Sequence, residues 1–216
     1  MTDLSKYIEH TLLKQDAKKE ELKKLYDEAK EHNFLGICVN PVNVADAKQY
    51  LKDTNVKIVT VVGFPLGANR SDVKAFETQK AVEDGADEID MVINVSKLKD
   101  KDYDFVKKDI ETVKKACADK PLKVILETDL LEKEEIQKAC ELCVEAKADF
   151  VKTSTGFVKN GTGAKAEDVK LMAQIVKPHG LRVKASAGIR DKEKALAMVE
   201  AGADRLGTSS GVAIVS

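Results

Sequence analysis

Two lysines stand where apolar side chains would be expected. In "DFVKTSTGF" (149–157) Lys152 interrupts an apolar, β-branched run, and in "LRVKASAG" (181–188) Lys184 holds the same place in a second run. A lysine attacks a carbonyl only as the neutral amine, and at the ordinary pKa of about 10.4 roughly one amine in 2,500 is neutral at pH 7. Burial and a neighbouring ammonium both disfavour the charged form. Lowering the pKa to about 7.5 would leave about a quarter of the amine neutral, a shift worth roughly 4 kcal/mol of differential interaction. Two adjacent buried lysines are therefore suited to Schiff-base chemistry, one reacting and the other perturbing it. The imine is an electron sink that lets a carbon–carbon bond break β to the former carbonyl, as in a retro-aldol step, while a carboxylate moves protons through water. Asp90, in "DEIDMVIN" (87–94), is the acid best placed for that task.

These side chains have to be brought together by strands. Short β-type runs alternate with amphipathic helical runs from end to end: "YIEHTLL" (7–13), "LGICVN" (35–40), "VKIVTVVGF" (56–64), "DEIDMVIN", "LKVILETD" (122–129), "DFVKTSTG", "LRVKASAG" and "DRLGTSSG" (204–211). Charged helical stretches such as "KKEELKKLYDEAKEHN" and "SDVKAFETQKAVEDGAD" lie between them. Strands alternating with helices, without a Pro/Gly/Ser-rich linker, predict an α/β chain folded as one (β/α)8 TIM barrel, a single domain over 1–216. A doubly wound open sheet is the alternative, but no G-x-G-x-x-G follows the first strand. The eighth helix is expected to be missing or rudimentary. Side chains alternate across a strand. That parity turns Ile89, Met91, Val124, Val151, Thr153, Val183 and Ala185 outward. It turns Cys38, Glu88, Asp90, Lys123, Ile125, Glu127, Lys152 and Lys184 into the lumen, with Glu9 or Thr11 joining from the first strand.

Barrel interiors are normally filled by branched apolar side chains, and a buried charge is costly unless paired. The plain alternative is that these groups form structural ion pairs, with Asp90 bridged to Lys152 or Lys184. The small residues and glycine beside both lysines argue for more, because they leave the space a substrate needs. Three late strands end in "TSTGF", "SAGIR" and "GTSSG", whose exposed backbone N–H groups can cradle an anion. Gly156, Gly188, Ser209 and Ser210 are the candidates, although each alone could be an ordinary turn residue. "GFPLGANR" (63–70) is assigned no chemistry. Cys140 and Cys143 fall on one face of a helical pattern and are expected to pack in the core rather than bind metal.

Composition narrows the function classes. With 43% apolar and 34% charged residues the chain is globular, and its net charge of -1 gives no basic footprint for nucleic acid. No apolar run is long enough to span a bilayer, and "MTDLSKYIEH" has no signal-peptide core, so a cytoplasmic location is expected.

In order and across nearly the whole chain, "EHTLL", "GICVNP", "VVGFPLG", "EIDMVIN", "VILETDLL", "FVKTSTGF", "VKASAGIR" and "GTSSG" resemble the deoxyribose-phosphate aldolase family. The resemblance implies a class I aldolase on a (β/α)8 barrel, without metal or other cofactor. Such enzymes reversibly split 2-deoxy-D-ribose 5-phosphate into D-glyceraldehyde 3-phosphate and acetaldehyde. Carried over by motif, Lys152 is the Schiff-base lysine, Lys184 the lysine that lowers its pKa, and Asp90 the acid of the proton relay. Thr11, Cys38 and Lys123 surround the pocket, and Gly156, Gly188, Ser209 and Ser210 match the phosphate-binding turns. Thr153, beside Lys152, is counted with the substrate-binding residues although strand parity turns it outward. Glu9 stands where the family usually has aspartate, Ala187 where some relatives have glycine, and Phe157 where some have lysine. The expected partner is a small sugar phosphate, with neither nucleic acid nor membrane, and a homodimer is common for such barrels. The rivals are a Schiff-base aldolase or transaldolase acting on a ketose phosphate, and a non-catalytic sugar-phosphate sensor.

Overall fold

The β-branched runs form strands and the charged runs form helices in the computed structural model, which describes residues 2–216. The strands are β1 (Ile8–Leu12), β2 (Gly36–Val39), β3 (Lys57–Val62), β4 (Glu88–Val92), β5 (Leu122–Ile125), β6 (Phe150–Lys152), β7 (Arg182–Ser186) and β8 (Arg205–Thr208). The helices are α1 (Lys19–Glu31), α2 (Val44–Tyr50), α3 (Ser71–Glu83), α4 (Val95–Lys99), α5 (Tyr103–Ala116), α6 (Lys133–Glu145), α7 (Ala166–Val176), α8 (Lys192–Glu200) and α9 (Gly211–Val215). Each strand pairs in parallel with the next and β8 returns to β1, which closes the barrel. The five-residue α9 follows β8. Helix starts follow local chemistry: the Asp102 carboxylate accepts from Phe105 N at 3.3 Å and Asp191 from Lys194 N at 2.8 Å, satisfying donors that a helix N-terminus leaves unpaired.

Strand parity sorts the core into two layers. Ile89, Met91, Val124, Val151, Val183 and Ala185 pack between barrel and helices with Ile8, Ile37 and Leu206, and Cys140 and Cys143 join them from α6. Burying one such aliphatic side chain is worth about 1.5–3 kcal/mol, so this continuous shell carries most of the hydrophobic stabilisation. The apolar layer inside the barrel is small: Leu13, Cys38, Val59 and Val61, with Phe64 against them. Charged side chains occupy much of the remaining lumen.

Register sets where those charges meet. Asp90 lies opposite Lys123, Ile125 opposite Lys152, and Lys152 directly opposite Lys184. The two lysines singled out above are thus lateral neighbours at one level of the barrel. Phe150 enters the lumen toward the start of β6, with the Arg182 guanidinium 4.0 Å from its ring centre and Arg205 at 5.4 Å.

One buried pair outside the lumen carries no signature in the sequence. Lys74 on α3 is fully buried; its Nζ donates to Asp109 Oδ2 at 2.6 Å and to the Val92 carbonyl at 2.9 Å. It thereby ties the end of β4 to α3 and α5. The loop after β3 passes close by, and two glycines permit it. A Cβ on Gly63 (φ +62°) would sit 2.9 Å from Lys74 Cε, and one on Gly67 (φ +67°) only 1.9 Å from the Ile93 carbonyl oxygen.

Candidate active site

Six ionisable side chains meet in the lumen because β1, β4, β5, β6 and β7 each turn one or more of them inward. Asp90 lies at the centre and is fully buried. Its Oδ1 accepts from Lys123 Nζ at 3.0 Å, and its Oδ2 accepts from both Lys152 Nζ at 2.8 Å and Lys184 Nζ at 2.7 Å. The amines of Lys152 and Lys184 therefore share one oxygen. Lys184 Nζ also donates to Glu9 Oε2. Lys123 contacts Glu88 at 2.6 Å and Glu9 at 3.5 Å. At the N-terminal end of the barrel Lys57 lies 3.3 Å from Glu88, and Arg205 lies 3.8 Å from Glu9. Gly207 leaves room for this packing, since a Cβ there would stand 3.0 Å from Lys184 Cε.

The electrostatics follow from the pairing. Burial alone would raise the Asp90 carboxyl, but Lys123, Lys152 and Lys184 outweigh it and hold the group well below the usual carboxylate range. Burial would lower Lys184, but Asp90 and Glu9 outweigh it and hold the amine above its ordinary value, as an ammonium. Lys123 is raised in the same way, burial being overcome by Asp90 and Glu9. The side chains of Lys123, Lys152 and Lys184, with Lys57 and Arg205 beyond them, face the carboxylates of Glu9, Glu88 and Asp90. Cations therefore outnumber anions among the described residues of this cluster. Lys152 is the member least tied to it: its one carboxylate contact is the Asp90 oxygen it shares with Lys184.

Lys152 is also the lumen lysine that reaches a cavity. A pocket of about 310 Å³ opens at the C-terminal end of the barrel, with Lys152 at its base and Thr11, Ser154, Gly156, Gly188 and Ser209 in its walls. Ala187 and Gly188 both adopt left-handed backbone, φ +68° and +72°, and Gly156 does so at +84°. These turns present backbone at the mouth, where Lys14 and Arg190 add positive charge. A lysine at the base, a buried carboxylate and a second lysine beneath it, and a cationic mouth suit a ligand with a carbonyl at one end and an anion at the other.

The residues singled out in the sequence are not all in the walls. Lys184, Lys123 and Cys38 are fully buried beneath the pocket; Lys184 and Lys123 act on it through Asp90, and Cys38 belongs to the inner apolar layer. Burial pushes the Cys38 thiol above its ordinary value. Thr153 is turned away from the pocket, as strand parity requires: its hydroxyl donates to the Ser186 carbonyl at 3.1 Å and accepts from Ser186 N at 3.0 Å, joining β6 to β7. Ser210 precedes α9, and its N–H donates to Thr208 Oγ1 at 2.9 Å, so Ser209 rather than Ser210 faces the cavity. Glu127 lies beyond the end of β5 with left-handed backbone (φ 62°), and its carboxylate holds Thr155 N at 3.0 Å and Thr155 Oγ1 instead of joining the lysines. Ser154, Ser186 and Arg190 line the pocket without having been singled out. Strand parity would have given Ser154 and Ser186 as positions two beyond the lysines; Arg190 had only its place after the "SAG" turn to mark it.

Several known proteins are similar to this chain over nearly its whole length. The model of the DeoC/LacD family aldolases matches residues 5–216. The chain is 58% identical to a deoxyribose-phosphate aldolase from Thermococcus gammatolerans, over 99% of this chain and 95% of that one. It is 56% identical to a deoxyribose-phosphate aldolase from Finegoldia magna, over 99% of each. Among solved structures, the deoxyribose phosphate aldolase of Aeropyrum pernix, described as tetrameric, superposes with a TM-score of 0.88 at 34% identity, covering 98% of this chain and 89% of that one.

Proposed function

The chain belongs to the DeoC/LacD family of aldolases, and from that premise we propose that Lys152 is the nucleophile with which it cleaves 2-deoxy-D-ribose 5-phosphate, reversibly, to D-glyceraldehyde 3-phosphate and acetaldehyde. One observation carries the assignment. Of the three lumen lysines bound to Asp90, Lys152 alone lines the cavity, and it has the fewest carboxylate partners.

The neutral amine of Lys152 attacks C1 of the open-chain sugar. A proton passes to the resulting oxygen and the hydroxyl leaves as water, giving an iminium on Lys152. A base then takes the proton of the C3 hydroxyl. Its electron pair becomes the new C3 carbonyl, the C2–C3 bond breaks into the iminium, and glyceraldehyde 3-phosphate departs. The enamine left on Lys152 is protonated at C2, and water releases acetaldehyde. Asp90 suits the proton transfers because it is ionised and touches the nucleophile at 2.8 Å. Lys184 keeps a permanent ammonium against that same oxygen. The field of a second cation disfavours a charged Lys152 and so favours the nucleophilic form. Lys123 and Glu9 fix Asp90 and Lys184 in turn.

The turns bearing Gly156, Gly188 and Ser209 hold the phosphate through backbone N–H groups, with Arg190 supplying charge at the rim. The partner is a soluble sugar phosphate. The reading expects the reaction in the cytoplasm, and a homodimer is the assembly common for such barrels. No helix among the described residues is long and apolar enough to cross a membrane. The test is a substrate panel. Acetaldehyde release from 2-deoxyribose 5-phosphate, with little turnover of ketose phosphates, is the expected result. Preference for a ketose phosphate, or binding without cleavage, would replace this reading by one of its rivals.

A further inference from the structure

The segment "ETD" (127–129) places two carboxylates on the loop that follows β6, one at each end. Glu127 takes the near end: its Oε1 accepts from Thr155 N at 3.0 Å, and its Oε2 accepts from Thr155 Oγ1. Asp129 takes the far end: its Oδ1 accepts from Thr162 Oγ1 at 2.9 Å and its Oδ2 from Gly163 N at 2.8 Å. Neither carboxylate touches the lysine cluster. Glu127 does this work from left-handed backbone, which a non-glycine residue adopts only when the surrounding structure demands it. Gly161 must lack a side chain for Asp129 to fit, since a Cβ there would stand 2.8 Å from its Oδ2.

The far end of this loop is seated on the next turn of the pocket. Ala164 N donates to the Ala187 carbonyl at 3.0 Å. A Cβ on Gly163 would fall 2.4 Å from that same carbonyl oxygen, and one on Gly188 would fall 2.5 Å from the Thr162 carbonyl oxygen. Backbone lies directly on backbone here, so the left-handed Ala187–Gly188 turn can keep its shape only while residues 162–164 stay in place. The side chain that fixes residues 162 and 163 is Asp129. Two of the three turns facing the substrate's distal end, at Gly156 and at Gly188, are thus shaped from behind by one short segment after β5.

We infer that Asp129, assisted by Glu127, is a positioning residue that gives the enzyme its selectivity for a phosphorylated aldehyde. It holds the loop between β6 and α7 against the Ala187–Gly188 turn. The inference rests on the reading that these turns receive the phosphate, and it adds the groups that shape them.

The experiment compares Asp129→Asn, Asp129→Ala and Thr162→Val with the wild type on 2-deoxyribose 5-phosphate and on 2-deoxyribose. Inorganic phosphate serves as a competitive probe, and thermal melting follows folding. For Asp129→Asn the KM for the phosphorylated sugar is expected to rise about tenfold, the loss that one charge-assisted hydrogen bond can cause, with inhibition by phosphate weakened in parallel. Turnover of the unphosphorylated sugar should stay within about twofold of wild type, because its reacting end is held by other residues. Thr162→Val should fall between Asp129→Asn and wild type, and it decides the matter if Asp129→Ala does not fold. Equal losses on both sugars, or an unchanged KM in a folded variant, would overturn the inference. A wild type that shows no preference for the phosphorylated sugar would instead overturn the phosphate reading, and the inference with it.

Discussion

Replacing Lys184 by leucine isolates the contribution of the second lysine. The amines of Lys152 and Lys184 both lie on Asp90 Oδ2, at 2.8 and 2.7 Å, so they can be no further apart than those two distances together. At a separation of about 5 Å and an effective dielectric of about 20, two unit charges repel by about 3 kcal/mol. Removing the Lys184 ammonium therefore makes a charged nucleophile easier to keep by about two pH units. Losing a competitor for Asp90 works in the same direction. The acid limb of kcat/KM should move up by about two units, and activity at pH 7 should fall about a hundredfold and return as the pH is raised. The assay is kcat/KM for cleavage between pH 5 and 10, run well below the variant's melting temperature. Glu9 would be left with contacts no closer than 3.5 Å to Lys123 and 3.8 Å to Arg205, and breaking a buried pair costs about 3–5 kcal/mol of stability. A folded Lys184→Leu enzyme with full activity at pH 7 and an unshifted acid limb would refute the argument.

Other consequences concern the frame. Lys74→Ala strands a buried Asp109 carboxylate and should cost about 3–5 kcal/mol, whereas Lys74→Met with Asp109→Leu should recover much of that loss; chemical denaturation measures both. Gly67→Ala sets a Cβ 1.9 Å from the Ile93 carbonyl at φ +67°, and the expected outcome is a sharp loss of melting temperature or of soluble yield. The lumen network also fixes how stability varies with pH. Asp90 and Glu88 are held below the ordinary carboxyl range, so their contribution is complete above about pH 4 and is lost as the pH falls toward their native values. Lys123 and Lys184 are held above theirs, so their contribution is complete below about pH 10 and is lost as the pH rises through their native values. Melting temperatures across that range should show a plateau with an acid fall, and Asp90→Asn should flatten the fall.

Much of this site was legible in the sequence because it sits on strands, where a period of two decides which side chains share a face. Lys152, Lys184, Asp90 and Lys123 were assigned to one lumen by parity, and the register then set Lys152 opposite Lys184. Parity fails where strands end. Glu127 continues the inward series on paper, yet β5 stops at Ile125 and the left-handed turn carries Glu127 to Thr155. Ser210 is excluded from the pocket for a similar reason, because the turn before α9 presents Ser209 instead. Lys74 was illegible in another way. A lysine in a charged helix reads as solvent-facing, and only the packing of α3 against α5 brings Asp109 to meet it. The clamp of Glu127 and Asp129 depends on contacts across 28 and 34 positions, which no local pattern encodes.

The central claim is that Lys152 forms the imine. Incubation with acetaldehyde and borohydride, followed by intact and peptide mass spectrometry, tests it directly. The account predicts one reduced two-carbon adduct on the peptide carrying Lys152, absent from Lys152→Ala. An adduct confined to Lys184, or none on an enzyme that still binds 2-deoxyribose 5-phosphate, would contradict it.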